Sequence, residues 1–325
     1  MGGRTRNKTR SEIGTFAPFG EFDSPIASVA AMGIDSGATL VKLCVRSPAG
    51  DRYFATWPSP SRDRVLEVLM ELAPERLGIT GCGAAGLLAG LDRGAANPIE
   101  FDAWGRGANE ILAQTGQISD EPYLLVSIGT GTSALRVEGD RVERVDGTAL
   151  GGGTALGLGL ALTGCQTHDE LARLAARGER GGVDLLISDI YEKNALPIAA
   201  EATAASFGKL AHALDRERDG QFERTGSIPS GDPSGDRRRS VGPSARPEDL
   251  AAAVMGLVAE NIALLSNARA TVAGVRRIVY GGSTLYENPT LVGTVQLLTS
   301  VMGFEVIVLP HSGHAGALGA MLLSD

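Results

Sequence analysis

Five glycine-rich stretches carry the side chains best suited to chemistry in this sequence. Gly33-Ile34-Asp35-Ser36-Gly37-Ala38-Thr39, Gly81-Cys82-Gly83, Gly129-Thr130-Gly131-Thr132-Ser133 and Gly281-Gly282-Ser283-Thr284 each follow a strand-like apolar run, and Gly151-Gly152-Gly153 opens a helical one. Glycine lets backbone amides approach an anion and point at it, by close contact or positive φ, and the interleaved Ser and Thr hydroxyls add donors. That is phosphate-binding chemistry. Asp35, at the bend between two apolar arms, reads as an exposed carboxylate able to hold hydrated Mg2+ beside such phosphates. Lys42 either faces the same cleft or caps a strand edge. Any one of these loops is equally well a tight turn; all of them in this order are hard to produce by accident.

Two competing nucleotide signatures can be weighed. A Walker A pattern is absent. Gly81-Cys82-Gly83-Ala84-Ala85-Gly86 matches GxGxxG after a strand. A dinucleotide fold then wants a second strand ending in an acidic residue about 20 positions on. Asn97-Pro98-Ile99-Glu100-Phe101 arrives early and contains a proline, so the match stands alone. Cys44, Cys82 and Cys165 are far apart, which supports neither a disulfide framework nor a zinc site. His311 and His314 read as loop residues rather than metal ligands.

The net charge is −8, from 30 basic and 38 acidic residues, which argues against a surface that binds nucleic acid by phosphate neutralisation. Phosphates must instead meet backbone amides, helix N-termini and a divalent ion. The basic N-terminus has no apolar core behind it and no window of about 18 apolar residues stands out, so the expectation is a cytoplasmic chain without a membrane partner.

The elements that position the loops alternate. Strand-like runs fall at Ile26–Val45 around the first loop, then at 52–57, 77–80 and 123–128, with a hairpin at 133–137 and 141–145. Further strands fall at 277–280 and 305–309. Helical periodicity marks 62–72, 102–115, 154–162, 168–176, 182–191, 199–215, 247–270, 288–302 and 315–323. This is an α/β pattern. Residues 1–27 read as a disordered leader, and 219–247, rich in Gly, Pro, Ser and Arg, as a flexible insertion whose Arg237-Arg238-Arg239 run is solvated.

GIDSGATLVK (33–42), ITGCGAAG (79–86), EFDAWGRG (100–107), SIGTGTS (127–133), RVDGTALGGGT (144–154), LTGC (162–165), ASFG (205–208) and YGGST (280–284) resemble the type II (eukaryotic-like) pantothenate kinase family, of the actin/hexokinase-like ATPase superfamily. The resemblance runs from about Ala31 to Leu323, and 127–154 is its most specific part. It implies a two-lobed fold with ribonuclease H-like lobes: residues 28–120 the N-terminal lobe, 121–325 the C-terminal lobe. It implies phosphorylation of pantothenate by ATP with Mg2+, a homodimer, and acyl-CoA as an inhibitor.

By the same resemblance Asp35, Ser36, Gly37, Ala38, Thr39, Leu40, Val41 and Lys42 form the first phosphate loop, with Asp35 at the metal. Thr130 and Ser133 lie in the second loop, Ser133 toward substrate. Gly151, Gly152, Gly153, Thr154 and Ala155 line the ATP site, and Ser283 the adenosine region. Glu100 is the catalytic glutamate, and Arg144 contacts pantothenate or an acyl-CoA. Ala38 and Ala84 stand where the family is richer in glycine, so those loops must keep negative φ or be strained. Segment 309–321 lacks aromatic residues that some members carry.

From the residues alone, Glu100 lies just before a helix whose dipole would keep it ionised, a modest base that orients a hydroxyl. Asp102 is its rival: both share a face if the segment is extended and diverge if the helix has begun. Equally, Glu100 is an ordinary N-terminal helix charge, and Arg144 an ordinary hairpin arginine. Other readings are a sugar or N-acetylhexosamine kinase of the same fold, or a non-catalytic acyl-CoA or nucleotide sensor.

Overall fold

The structure is a computed structural model that describes residues 15–17, 28–59, 62–191, 202–211 and 245–324. Its elements, in chain order, begin with β1 (Thr15–Ala17), β2 (Ala31–Ser36), β3 (Leu40–Arg46), β4 (Arg52–Pro58), α1 (Arg62–Leu72), β5 (Arg76–Thr80), α2 (Ala84–Leu88) and α3 (Glu100–Gln114). There follow β6 (Tyr123–Ile128), β7 (Thr132–Glu138), β8 (Arg141–Thr148), α4 (Gly152–Thr163), α5 (His168–Ala175), β9 (Leu185–Leu186), α6 (Ile187–Ile190) and β10 (Thr203–Ala205). Last come α7 (Pro247–Ala273), β11 (Arg277–Gly281), α8 (Pro289–Val301), β12 (Glu305–Val308) and α9 (Ala315–Leu322). The chain groups into two compact units. One holds residues 1–152, 262–286 and 296–325; the other holds 153–261 and 287–295.

The first unit contains two five-stranded sheets, ordered β1-β4-β3-β2-β5 and β12-β11-β6-β7-β8. In each, an antiparallel meander (β2-β3-β4, β6-β7-β8) is extended by a parallel strand beside its first member, β5 on β2 and β11 on β6. Strand β12 continues the second sheet beyond β11, and β1 lies parallel to β4 on the far edge of the first. Tight, polar turns suit the meanders; the parallel steps need helical crossovers. Helices α3 and α9 pack between the sheets, with Trp104, Ile111, Leu112, Leu318 and Met321 joined to Phe54, Leu125, Leu135 and Val137. Their backbones touch: a Cβ on Gly107 would strike Ala315, and one on Gly319 would strike Ala103. Only glycine permits that approach. Helix α1 covers the other face of the N-terminal sheet, where Val65, Val68 and Leu69 meet Met32, Ile34, Leu43 and Trp57.

The second unit is smaller. Helix α5 starts with a capping box: the Thr167 hydroxyl accepts from Glu170 N at 3.2 Å while the Glu170 carboxylate accepts from Thr167 N at 3.2 Å. Val183, Leu250 and Ala253 form a core with Phe207, Leu210 and Ala245 against it.

Four sequence expectations are corrected. Within the expected leader, Thr15–Ala17 is a strand pairing parallel to β4; β4 would otherwise be an edge, and edges recruit apolar segments. The helix expected over 182–191 is instead a 3-10 turn at Arg180–Gly182, strand β9 and the short α6. The helix expected over 199–215 contains β10, which pairs with β9 because Thr203 Oγ1 is fixed between Arg180 Nη2 (2.8 Å) and Glu260 Oε1 (2.9 Å). Finally, α7 is long and apolar enough to cross a membrane, although most of it is buried inside the protein as a core helix rich in alanine. The rest of the leader, residues 219–244 of the insertion with the arginine run, and His212 lie outside the described residues.

Candidate active site

The first loop joins β2 to β3. Asp35 and Lys42 are register partners across this hairpin, both buried, with Lys42 Nζ 3.5 Å from Asp35 Oδ2. A buried ion pair costs desolvation that hydrophobic packing would avoid, so its presence at a loop points to a use beyond stability. Asp35 is 2% exposed, not the open carboxylate the sequence suggested, because Gly316 at the start of α9 presses against its carboxyl group. The turn closes through Gly37 N donating to Leu40 O (3.0 Å), and Ser59 clamps it from β4, Oγ donating to Gly37 O (2.7 Å) and N to Thr39 O (2.9 Å). Ala38 is not among the residues with positive φ, so the loop accepts alanine without strain. Leu40 is half-buried on β3, and Val41 sends its side chain into the core.

The stretch Gly81–Gly83 folds against the first loop: Gly83 N donates to Ser36 O at 2.8 Å. Helix α2 behind it has five residues, too short for a dinucleotide crossover.

Glu100 is the first residue of α3, after Ile99 as N-cap, so the helix has already begun and Glu100 and Asp102 point apart. Thr80 Oγ1 anchors the approach by donating to Pro98 O at 2.9 Å. The expected ionising effect of the helix dipole does not prevail. Partial burial holds the Glu100 carboxyl above its usual range, the Asp35 charge pushes the same way, and Lys42 opposes both. Glu100, Asp35 and Lys42 therefore feel one another's fields at one place, drawn from three elements.

The second loop, between β6 and β7, meets the first where Thr39 and Thr130 share a hydroxyl hydrogen bond of 2.8 Å. Gly129 N donates to Gly131 O (2.9 Å). Gly129 O in turn accepts from Gly152 N (2.8 Å) and Thr284 Oγ1 (3.0 Å). These contacts draw the second loop, the Gly151-Gly152 turn and the Gly281–Thr284 turn together. A Cβ on Gly152 would collide with the Thr284 side chain, which explains that glycine by crowding rather than by φ. Ser283 opens a 3-10 turn beside Gly313, and Ser312 Oγ accepts from Gly282 N at 3.0 Å. Gly153, exposed, Thr154, half-buried, and Ala155, buried, form the first turn of α4 in the second unit.

Arg144, exposed on β8, stacks its guanidinium over the Phe101 ring at 5.8 Å, one residue from Glu100. Ser133 is half-buried on β7, opposite Ser127 and Gly147. The histidine pair separates: His311 is exposed, whereas His314 is buried, its Nε2 2.9 Å from Thr56 Oγ1 and 3.2 Å from Ala55 O. Sequence reasoning missed Ser59, Thr56 and Ser312. Each acts on a loop remote in sequence, which leaves no local signal.

As to metal, no three His, Cys, Asp or Glu cluster among the described residues. Asp35, with Glu100 close by, suits an ion that keeps its waters and leans on one or two carboxylates plus phosphate oxygens. The donor set fits Mg2+.

Two sheets built on the same meander and parallel strand, each carrying a hydroxyl- and glycine-rich turn between the first two strands of its meander, define an actin/hexokinase-like ATPase fold. A ROK family glucokinase from Streptomyces griseus, solved with glucose and AMPPNP, shares this architecture with a TM-score of 0.50 at 15% identity, over 90% of this chain and 98% of that one. The Fumble family sequence model matches residues 101–323. A type II pantothenate kinase of Oceanobacillus iheyensis is 33% identical over 294 residues, 90% of this chain and 99% of the relative. One from Staphylococcus haemolyticus is 31% identical over 293 residues, with the same coverage of both chains. The chain belongs to the Fumble family, that of the type II pantothenate kinases, and is a phosphotransferase.

Proposed function

We propose that this chain transfers the terminal phosphoryl group of ATP to the primary hydroxyl of pantothenate, giving 4'-phosphopantothenate at the start of coenzyme A biosynthesis. The observation that carries the chemistry is the convergence of Asp35, Lys42 and Glu100 beside the touching loops of Thr39 and Thr130; family membership supplies the substrate. Phosphoryl transfer runs through a loose transition state, so alignment and charge stabilisation outweigh strong deprotonation. Glu100, with its raised affinity for protons, holds the acceptor hydroxyl and takes its proton late. Lys42 and the loop residues 36–41, with Thr130, offer ammonium, amide and hydroxyl donors to the phosphates. The Gly151-Gly152 turn adds amides, and Ser283 lies toward the adenosine. Arg144 and Ser133 bind pantothenate, the arginine fork taking its carboxylate. When bound, Mg2+ held by Asp35 neutralises charge between the phosphates.

In the same reading the enzyme is cytoplasmic, works as a homodimer and is inhibited by acyl-CoA at the pantothenate site. The test is ADP release from Mg-ATP with pantothenate, glucose or N-acetylglucosamine, for wild type and Glu100→Ala. Turnover with pantothenate alone, reduced at least about a hundredfold in the variant, is the expected result. Turnover with a sugar would keep the fold and sink the substrate. Tight acyl-CoA binding with no turnover would make the chain a sensor.

A further inference from the structure

Strand β8 changes face at a single extra residue. Val142 lies opposite Val137 and Arg144 opposite Leu135, but the next register partners are Asp146 with Ala134 and Gly147 with Ser133. Val145 is left over, a β-bulge between Arg144 and Asp146. Strict alternation would place Asp146 on the face of Arg144. The bulge reverses this. Leu135 and Val137 belong to the core that α3 covers, and Arg144 accordingly lies over Phe101 of α3. Asp146, opposite Ala134, is on the other face, where its carboxylate forms an ion pair with Arg269 of α7 and accepts from Gly147 N at 2.7 Å. Those contacts, the Gly147 amide first, hold its carboxyl below the usual range.

Gly147 takes the place that Asp146 would have had. A Cβ there would strike the Arg144 guanidinium and the Thr132 carbonyl oxygen, so the glycine leaves the slot in which Arg144 lies. Among the described residues Arg144 is in no ion pair, although its charge still reaches Asp146 and helps to lower that carboxyl.

We infer that the Val145 bulge is a charge-separating device: it sends Asp146 to Arg269 on one face so that Arg144 lies over Phe101 without an ion-pair partner, ready for a substrate carboxylate. Asp146, Gly147 and Arg269 are positioning residues that act through Arg144. This rests on the reading of Arg144 as the group that binds the pantothenate carboxylate. Without the bulge, an intramolecular carboxylate would compete with the substrate at effective concentrations no free ligand matches.

The experiment is steady-state kinetics on the full chain, with pantothenate and Mg-ATP varied separately, for Arg144→Ala, Gly147→Ala, Asp146→Asn and Arg144→Ala combined with Gly147→Ala. Arg144→Ala should raise the KM for pantothenate about tenfold or more, the worth of a charge-assisted hydrogen bond. Gly147→Ala should raise it comparably, with kcat and the KM for ATP within about twofold. In the double variant the Gly147 change should add nothing further to the KM for pantothenate, since that effect runs through the missing guanidinium, while its clash with the Thr132 carbonyl should lower the melting temperature in both backgrounds. Asp146→Asn keeps the shape of the bulge while removing the charge for Arg269. It should raise the KM for pantothenate a fewfold, and it tests the idea if Gly147→Ala does not fold. A raised KM in Arg144→Ala with none in Gly147→Ala or Asp146→Asn overturns the positioning role alone. Additive effects in the double variant do the same. No change in Arg144→Ala overturns the reading of that arginine, and this inference with it.

Discussion

The two sheets of the first unit share a core of a three-stranded meander and one parallel strand but carry different chemistry at the equivalent place. Where β2 and β3 pair next to their loop, the partners are Asp35 and Lys42; where β6 and β7 pair next to theirs, the partners are Ser127 and Ser133. One turn is backed by a buried ion pair, the other by two neutral hydroxyl residues. The loops beyond them meet through Thr39 and Thr130. The shared scaffold thus offers two glycine-rich turns, and the N-terminal one carries the charged pair whose field reaches Glu100. The C-terminal turn is held by neighbours: Thr284 and Gly152 both bind Gly129 O, and Thr132 Oγ1 donates to Leu150 O at 2.8 Å. Under the proposed function, the difference gives reactivity to the first turn and nucleotide placement to the second.

Substituting the two turns alike should expose that division. Asp35→Asn is expected to lower kcat by about three orders of magnitude, because it removes both the cation's carboxylate and the partner of Lys42. Ser127→Ala, at the equivalent place, should cost less than about tenfold, the scale of one neutral hydrogen bond. Asp35→Asn also leaves a buried ammonium unpaired, so thermal melting must accompany the kinetics, and Asp35→Asn with Lys42→Met should recover stability without recovering turnover. Equal losses at both turns would dissolve the distinction.

Much of this scaffold is legible in the sequence, and for a physical reason: hairpins and glycine turns are specified by residues a few positions apart. The first loop, the 133–145 hairpin and the run from Arg277 into α8 stand where alternation and turn chemistry put them. The environment of the site is another matter. Asp35 is buried by Gly316 at the far end of the chain, and Glu100 acquires its proton affinity from burial and from Asp35, neither being a neighbour in sequence. The Ala-rich segment before residue 211 has helical composition, yet Arg180 and Glu260 capture the Thr203 hydroxyl and hold a strand. Residue identities disclose the parts; which carboxylate is desolvated is decided by tertiary packing.

The N-terminal sheet carries a second asymmetry, in its response to acid. His314, at the start of α9, is buried against β4, its ring 5.1 Å from that of Phe54, and burial with the nearby Lys42 charge lowers its pKa from 6.5 to about 3. The native imidazole is therefore neutral while the unfolded one is protonated below pH 6.5. The unfolded chain binds the extra proton, so stability should fall as pH drops from about 6.5 towards 3, by about 1.4 kcal/mol per pH unit for this group. His314→Gln keeps an amide donor for Ala55 O and does not titrate. Melting temperatures at pH 7 and pH 5 should differ less in this variant than in wild type. An unchanged difference would show that acid acts elsewhere.

The smallest expected effect concerns the one hydroxyl contact that links the two turns. Thr39 and Thr130 are both exposed, and their hydrogen bond of 2.8 Å competes with water, so its net contribution should be below about 1 kcal/mol. If the turns act separately in the resting protein, Thr39→Val and Thr130→Val should each change stability little, and the double variant should equal their sum within about 0.5 kcal/mol. Kinetically the two should not be equivalent. Thr39 belongs to the charged turn, and its loss should reach kcat by disturbing the backbone that Ser59 clamps at Gly37 and Thr39. Thr130 belongs to the neutral turn, and its loss should appear in the KM for ATP. Reversal of that pattern would mean that the charged turn places the nucleotide, and that the division of labour between the sheets runs the other way.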